Sequence, residues 1–141
     1  MSNVLLSVIV DNKEGKLMRI FKSKWFHKWA EKEGLTDEAL NIAIKEMEDD
    51  LVDADLGGHI YKKRAAIEGQ GKSGGLRTIL AFKVGNKAFF MFGFAKKQRA
   101  NINEKELKTF KKMGKEYFGY SEIKLNKVVK VGNLIEVENN E

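Results

Sequence analysis

Residues 60–99 read IYKKRAAIEGQGKSGGLRTILAFKVGNKAFFMFGFAKKQR, and this stretch decides both the fold and the search for a function. It holds ten Lys or Arg residues and one acid, Glu68, so ten positive charges minus one negative charge give +9. The whole chain of 141 residues carries only +6, which leaves −3 for all its other residues. A basic surface confined to one part of a domain is typical of proteins that bind a polyanion.

The same stretch predicts a three-stranded antiparallel meander. Its strands cover residues 60–67, 76–84 and 88–95, and the third is rich in Phe. Residues 68–75 contain four glycines and no bulky side chain, which predicts a flexible loop, and Gly85-Asn86 predicts a tight turn. The loop is not a P-loop, because the Gly-x-x-x-x-Gly-Lys-Ser/Thr spacing is absent and a strand follows instead of a helix.

Helices are predicted on both sides of the meander. Residues 24–33 carry an apolar stripe that Gly34 ends, and residues 37–52 form an amphipathic helix capped by Thr36. After the meander, Asn103 and Glu106 resemble a capping box, which predicts a helix ending near Phe118. Three short elements complete the expectation: a strand at residues 19–21, a short helix capped by Ser121 and a strand at residues 134–137.

These elements predict an α+β fold, in which N-terminal helices pack on a small, mostly antiparallel sheet and a C-terminal helix follows. We expect one main domain at residues 18–119 and a C-terminal extension at residues 120–141 with the short helix and strand. Residues 1–17 are interpreted as an N-terminal extension. They form either an extra strand or a segment upstream of a natural translation start at Met18.

The composition narrows the classes of function. The chain has no cysteine, which excludes disulfides and thiolate metal sites, and with only two histidines a catalytic zinc site is not expected. Residues 4–10 are too short an apolar run to span a bilayer, and no signal-peptide pattern surrounds them. We therefore expect a cytoplasmic protein without metal or cofactor. Its anionic partner is expected to be nucleic acid and not a membrane, because the charge lies on a predicted sheet.

Three basic groups come close together in the predicted meander. Since side chains alternate between the two faces of a strand, Lys63 points away from Lys62 and Arg64. Charge alone leaves two interpretations open, an ordinary solvated sheet face and a phosphate-binding site. Like charges side by side favour the second, because they destabilise a sheet unless an anion binds. The three groups are Lys62-Lys63-Arg64, then Arg77, then Lys96-Lys97-Arg99.

A resemblance to a known family rests on four segments in a fixed order. They are DADLGG at residues 53–58, YKKR at 61–64, GQGKSGGLR at 69–77 and FFMFGFAKKQR at 89–99. With two helices before the meander and one after it, residues 18–119 resemble the RelE/HigB branch of the RelE/ParE toxins of type II toxin–antitoxin systems. The resemblance implies a toxin that cleaves mRNA in the ribosomal A site. It also implies a cognate antitoxin, often of the helix-turn-helix type, that masks the toxin.

The resemblance further implies a metal-independent endoribonuclease that works with basic side chains, not a histidine pair. Arg77 corresponds to the arginine that contacts the scissile phosphate, and Lys62 and Arg64 to a basic pair of which one acts as the base. Lys97 and Arg99 match the basic residues after the last strand of the meander. Such cleavage needs a proton acceptor for the 2′-hydroxyl, charge compensation at the phosphorane and a proton for the leaving oxygen. Further RNA contacts are expected from Lys63, Lys72 and Lys96.

Two alternatives keep the fold and change the function. One is a non-catalytic basic module that binds RNA or the ribosome, and the other is a ParE-type gyrase inhibitor. The basic residues favour the endoribonuclease over the gyrase inhibitor, but phosphate binding and phosphate cleavage need the same residue types. The chain departs from RelE near Asn103, where RelE has a tyrosine. Asparagine cannot stack on a base as tyrosine does, so base preference is expected to differ.

Overall fold

This computed structural model describes residues 18–67, 69 and 71–138. Residues 71–74 are described by their backbone alone. The described part of the chain contains six strands and four helices. The predicted N-terminal extension, residues 1–17, lies outside the described residues. The first half holds β1 (Arg19–Ser23), α1 (Lys24–Glu33), α2 (Asp37–Glu48), β2 (Ala54–Asp55) and β3 (Ile60–Ile67). The second half holds β4 (Gly71–Phe82), β5 (Lys87–Ala95), α3 (Glu104–Phe118), α4 (Glu122–Lys130) and β6 (Leu134–Glu136).

One six-stranded sheet in the order β2-β3-β4-β5-β1-β6 forms the centre of this α+β fold. The predicted meander is confirmed, because β3, β4 and β5 pair antiparallel in sequence order. Strand β1 lies between β5, to which it is parallel, and β6, to which it is antiparallel. The sheet is therefore mostly antiparallel, with a single parallel pair at the place where the first strand is inserted.

The helices cover both faces of the sheet. On one face, α1 and α2 contribute Phe26 and Leu40 to a core that includes Phe90. On the other face, α3 and α4 contribute Phe110 and Leu125 to a core that includes Phe89. We call these the α1–α2 face and the α3–α4 face. None of the helices in the described part of the chain is both long and apolar enough to cross a membrane.

The predicted helix ends are confirmed where short-range hydrogen bonds define them. The Thr36 hydroxyl accepts the Ala39 backbone N–H, and Gly34 ends α1 with φ at 79°. Asn103 and Glu106 form a complete capping box at the start of α3. The second helix is shorter than predicted, because α2 ends at Glu48.

The second strand of the meander begins earlier than the glycine content predicts. Residues 71–75 belong to β4 and not to a loop. Gly71 pairs with Ile67 on one side, and the Gly75 carbonyl accepts the Lys96 backbone N–H on the other. Glycine weakens a strand but does not forbid one, and these hydrogen bonds hold the backbone extended.

A β-bulge in β5 sets the face to which its aromatic side chains point. Ile79 pairs with Phe92 and Leu80 pairs with Phe90, so Met91 is the extra residue of β5. Beyond the bulge, Phe92 joins the core of the α3–α4 face. Bulges of this kind change the direction of side chains and are common near functional sites.

Candidate functional site

Four cationic side chains lie together on the α3–α4 face, near the end of the meander that adjoins the start of α3. We call Lys62, Arg64, Arg77 and Arg99 the basic cluster. Lys62 and Arg64 lie two and four residues after Ile60 along β3, so alternation places them on the face where Ile60 is buried. Arg64 stands directly opposite Arg77 in the β3–β4 ladder. The structure thus brings together four of the five residues that the resemblance assigns to catalysis.

Two members of the basic cluster are held by neighbours from the loops. Arg64 Nε donates to Asp53 Oδ1 at 3.0 Å, and the backbone N–H of Arg64 donates to the other carboxylate oxygen. Lys62 Nζ donates to the Asn101 side-chain oxygen at 3.3 Å. These contacts fix where the Arg64 and Lys62 head groups lie when no ligand is bound.

Arg99 is held by a carboxylate from α3. Its Nη1 and Nη2 donate to the two oxygens of Glu106 at 3.0 and 2.7 Å, and its Nε donates to the Asn101 carbonyl at 3.0 Å. The hydrogen bonds to Arg99 lower the pKa of Glu106, and the same pair raises the pKa of Arg99. The Arg99 guanidinium carbon also lies 5.8 Å from the ring centres of both Phe92 and Phe94.

Arg77 differs from the other two arginines of the basic cluster. Among the described residues its guanidinium has no carboxylate within ion-pair distance, and its Nη1 makes one long hydrogen bond of 3.4 Å to the Leu76 carbonyl. The residue is half-buried, and Arg64 and Phe94 flank it on the neighbouring strands. An arginine that is partly desolvated and lacks an acid partner is a ready binding site for an anion such as phosphate.

Lys63 lies on the opposite face of the sheet from the basic cluster. Its ammonium forms an ion pair with Glu46 of α2 at 2.7 Å and donates to the Leu51 carbonyl at 2.8 Å, and the residue is only 3% exposed. A charge buried with its partners in this way is not placed to reach RNA. The structure therefore gives Lys63 a structural position, and we do not retain it as an RNA contact.

We expect Lys63→Met to lower the free energy of unfolding by about 1–3 kcal/mol, because it removes the buried ion pair with Glu46 and the hydrogen bond to the Leu51 carbonyl. RNA affinity should stay at the wild-type level. Urea denaturation and RNA titration, both under conditions where the variant is folded, measure the two quantities. A stable variant with weakened RNA binding would restore Lys63 to the binding surface.

The remaining candidate residues are not members of the basic cluster. Lys96 and Lys97 are exposed in the turn that follows β5. The side chain of Lys72 lies outside the described part of the structure. Asn103, where the chain departs from RelE, accepts the Glu106 backbone N–H and so serves as the N-cap of α3. His59 packs edge-on against Phe118 at the far end of α3 and takes no part in the cluster.

Sequence reasoning missed the polar and aromatic partners of the cluster. Asp53 belongs to one of the segments that carry the resemblance, but nothing in the sequence indicated that Asp53 or Asn101 contacts the basic side chains. Glu106 was recognised as a capping residue, but its second role as the partner of Arg99 could not be read from spacing. No group of three or more His, Asp or Glu side chains within the described residues is arranged to hold a metal ion.

The ion pair between Arg99 and Glu106 predicts a specific response to acid. Because the pKa of folded Glu106 lies below its ordinary value of 4.5, the pair stabilises the fold above that pH, and the contribution is lost as the pH falls through the folded pKa. Glu106→Gln keeps the capping box but removes the charge. We expect its melting temperature to fall less than that of the wild type on acidification below 4.5.

Thermal melts of the wild type and of Glu106→Gln across this pH range test the expectation. Glu104→Gln removes an exposed acid from the same turn of α3 and is the matched control. If the melting temperatures of the wild type and of Glu106→Gln fall equally with decreasing pH, the stabilising role assigned to the Arg99–Glu106 pair is contradicted.

Comparison with known proteins places most of the chain in one family. The family model described as the RelE toxin of the RelE / RelB toxin-antitoxin system matches residues 18–137. The matched range contains all the strands and helices given above, including α4 and β6 beyond residue 119. A search of the curated proteins gave no match to the chain.

Proposed function

The chain belongs to the RelE toxin family of toxin–antitoxin systems, and on this premise we propose that it is a ribosome-dependent mRNA endonuclease that inhibits translation. The observation that carries the proposal is Arg77, a half-buried arginine in the middle of a cationic cluster, with no acid partner among the described residues. A phosphate of the RNA backbone fits this position, because guanidinium donors match phosphate oxygens in pairs.

The proposed reaction uses the ribose 2′-hydroxyl next to the scissile phosphate as the nucleophile. The 2′ oxygen forms a bond to phosphorus while the bond from phosphorus to the 5′ oxygen breaks. The nucleophile gives up a proton, and the leaving oxygen takes one. Arg77 compensates the negative charge that develops at the phosphorus centre, and Arg64 and Arg99 extend this positive surface on both sides.

Lys62 and Lys97 are the two proposed catalytic residues that can exchange a proton, because arginine stays protonated in proteins. Lys62 lies near Arg64 on the same face of the sheet as Arg77, so we assign to it the removal of the proton from the 2′-hydroxyl. Lys97 is exposed two residues before Arg99, and we assign to it the protonation of the leaving oxygen. Lys72 and Lys96 are proposed as further phosphate contacts along the RNA.

A non-catalytic module that occludes RNA or the ribosome is the alternative, because the same cations would serve it. The basic cluster argues against a ParE-type gyrase inhibitor. The family implies an antitoxin partner, and we propose one of the helix-turn-helix type. A ribosome-dependent function places the protein in the cytoplasm.

Induced expression followed by mapping of mRNA 5′ ends on translating ribosomes tests the proposal. Cuts in phase with codons are the expected result. Arrested translation with intact messages would replace the endonuclease with the non-catalytic module. Double-strand breaks in DNA would point to gyrase poisoning instead.

A further inference from the structure

Trp25, in the first turn of α1, is largely exposed although it belongs to an aromatic cluster. Its relative exposure is 49%, and its indole stacks on the Phe92 ring with 4.6 Å between ring centres and 25° between planes. Trp29, one turn further along α1, lies nearly parallel to it at 6.3 Å. One side of the Trp25 indole is therefore packed on protein, and about half of the residue remains open to solvent.

The position of Trp25 is fixed by the joint between α1 and the bulge in β5. Ser23, the N-cap of α1, accepts the Phe26 backbone N–H at 3.0 Å and donates its hydroxyl to the Met91 carbonyl at 3.0 Å. The bulge at Met91 in turn sets the direction of Phe92. The indole is held in place before any ligand arrives, so little conformational entropy is lost when a ligand packs against it.

The aromatic cluster leads from Trp25 directly to the basic cluster. The Phe92 ring, on which Trp25 stacks, lies 6.4 Å from the Phe94 ring. The Arg99 guanidinium lies 5.8 Å from both phenylalanine rings, and Phe94 stands opposite Arg77 in the β4–β5 ladder. A series of ring contacts thus runs from the exposed Trp25 indole through Phe92 to Phe94, the residue opposite Arg77.

The surroundings of Trp25 distinguish it from an ordinary exposed apolar residue. Ile42, Leu51 and Val84 are also exposed, but their side chains are aliphatic and offer a base no flat aromatic face. A flat aromatic face next to cations is the combination that binds single-stranded RNA, with stacking for the base and charge for the backbone.

We propose that the Trp25 indole stacks on a nucleobase of the RNA, one that neighbours the phosphate held by Arg77. The inference rests on the proposed function in taking RNA as the ligand. Because every base has a flat aromatic face, this contact adds affinity and fixes the register of the strand without reading the sequence in detail. Trp25 is a binding residue in this scheme and takes no part in proton transfer.

The contact is tested by measuring how protein variants at Trp25 bind RNAs that each lack one base. The probe is a short single-stranded RNA with 2′-O-methyl groups, which cannot be cleaved, and its affinity is measured by fluorescence anisotropy. Trp25→Ala and Trp25→Leu are both expected to bind about 5- to 150-fold more weakly than wild type, while Trp25→Phe stays close to it. Leucine still covers Phe92 but offers no aromatic face, so it separates stacking from packing.

A single abasic position in the RNA should remove the difference between wild type and Trp25→Ala, and the other abasic positions should leave it unchanged. Ile42→Ala, a truncation at a site of similar exposure on α2, is the matched control and should bind like wild type. Equal affinity of Trp25→Ala and wild type, or a loss that no abasic position removes, overturns the inference. If the mapping of mRNA 5′ ends finds intact messages and so disproves cleavage, the anisotropy measurement still tests whether Trp25 contributes to the binding of this RNA.

Discussion

Replacing Arg77 with alanine is expected to slow RNA cleavage by about 10²–10³-fold, the usual effect of removing one preorganised donor from a developing oxyanion. The protein should remain folded, because among the described residues Arg77 makes only a long hydrogen bond to its neighbour's carbonyl and no ion pair. Growth arrest on induction should disappear with the cleavage. Arg77→Lys should recover only part of the activity, since an ammonium cannot bind phosphate through two parallel hydrogen bonds.

Mapped mRNA 5′ ends and the growth of induced cultures measure the effect, and circular dichroism confirms the fold. Lys83→Ala is the matched control. It also removes one cation from the meander, but Lys83 lies at the opposite end of the sheet, with its ammonium over the Phe118 ring at 4.7 Å. Full toxicity of a well-expressed Arg77→Ala protein would defeat the role assigned to Arg77.

Gly93→Ala is expected to be the most destabilising small substitution in β5. The Trp29 ring lies against the strand at this residue, and a Cβ added to Gly93 would stand 2.1 Å from Trp29 Cζ3. Neither the strand backbone nor the half-buried indole can move far, so overpacking should cost about 1–3 kcal/mol or more. For a chain of this size that corresponds to a fall in melting temperature of roughly 4–12 °C.

Thermal melts of two further variants show whether the contact with Trp29 is the cause. Gly93→Ala combined with Trp29→Leu should be more stable than the sum of the two single changes predicts, because the smaller side chain makes room. Gly119→Ala is the control, since its nearest neighbour would lie 3.4 Å away and its φ of −83° suits alanine. A Gly93→Ala protein as stable as wild type would show that the ring is free to move aside.

The parts of the fold that could be predicted are those that neighbouring residues determine. Thr36 and the pair Asn103–Glu106 mark helix starts through hydrogen bonds that span three residues. The first strand of the meander, Ile60–Ile67, has the predicted bounds because its ends are set by local turn residues. The start of β4 at Gly71 was missed, because its extended form depends on pairing with β3 and on a hydrogen bond from Lys96, just after β5.

In the candidate site too, the features that could be predicted are those that depend on local geometry. Alternation along β3 correctly separated Lys63 from Lys62 and Arg64, because it depends only on strand geometry. The carboxylates that hold Arg64 and Arg99 could not be assigned, since each cation has many acids within reach in sequence. The exposure of Trp25 was also missed, because an apolar stripe on a helix normally predicts a buried face.

The inserted position of β1 has a consequence for how the protein is made. Synthesis proceeds from the N terminus, so β1 is among the first strands to appear, yet its partners β5 and β6 come much later in the chain. Arg19 of β1 and Glu136 of β6, which form an ion pair in the finished fold, are 117 residues apart. Pairings this distant form slowly, and the sheet of a nascent chain stays open on one side until residue 136 has been translated. The pairing of β1 with β6 is therefore the last part of the sheet that a nascent chain can form.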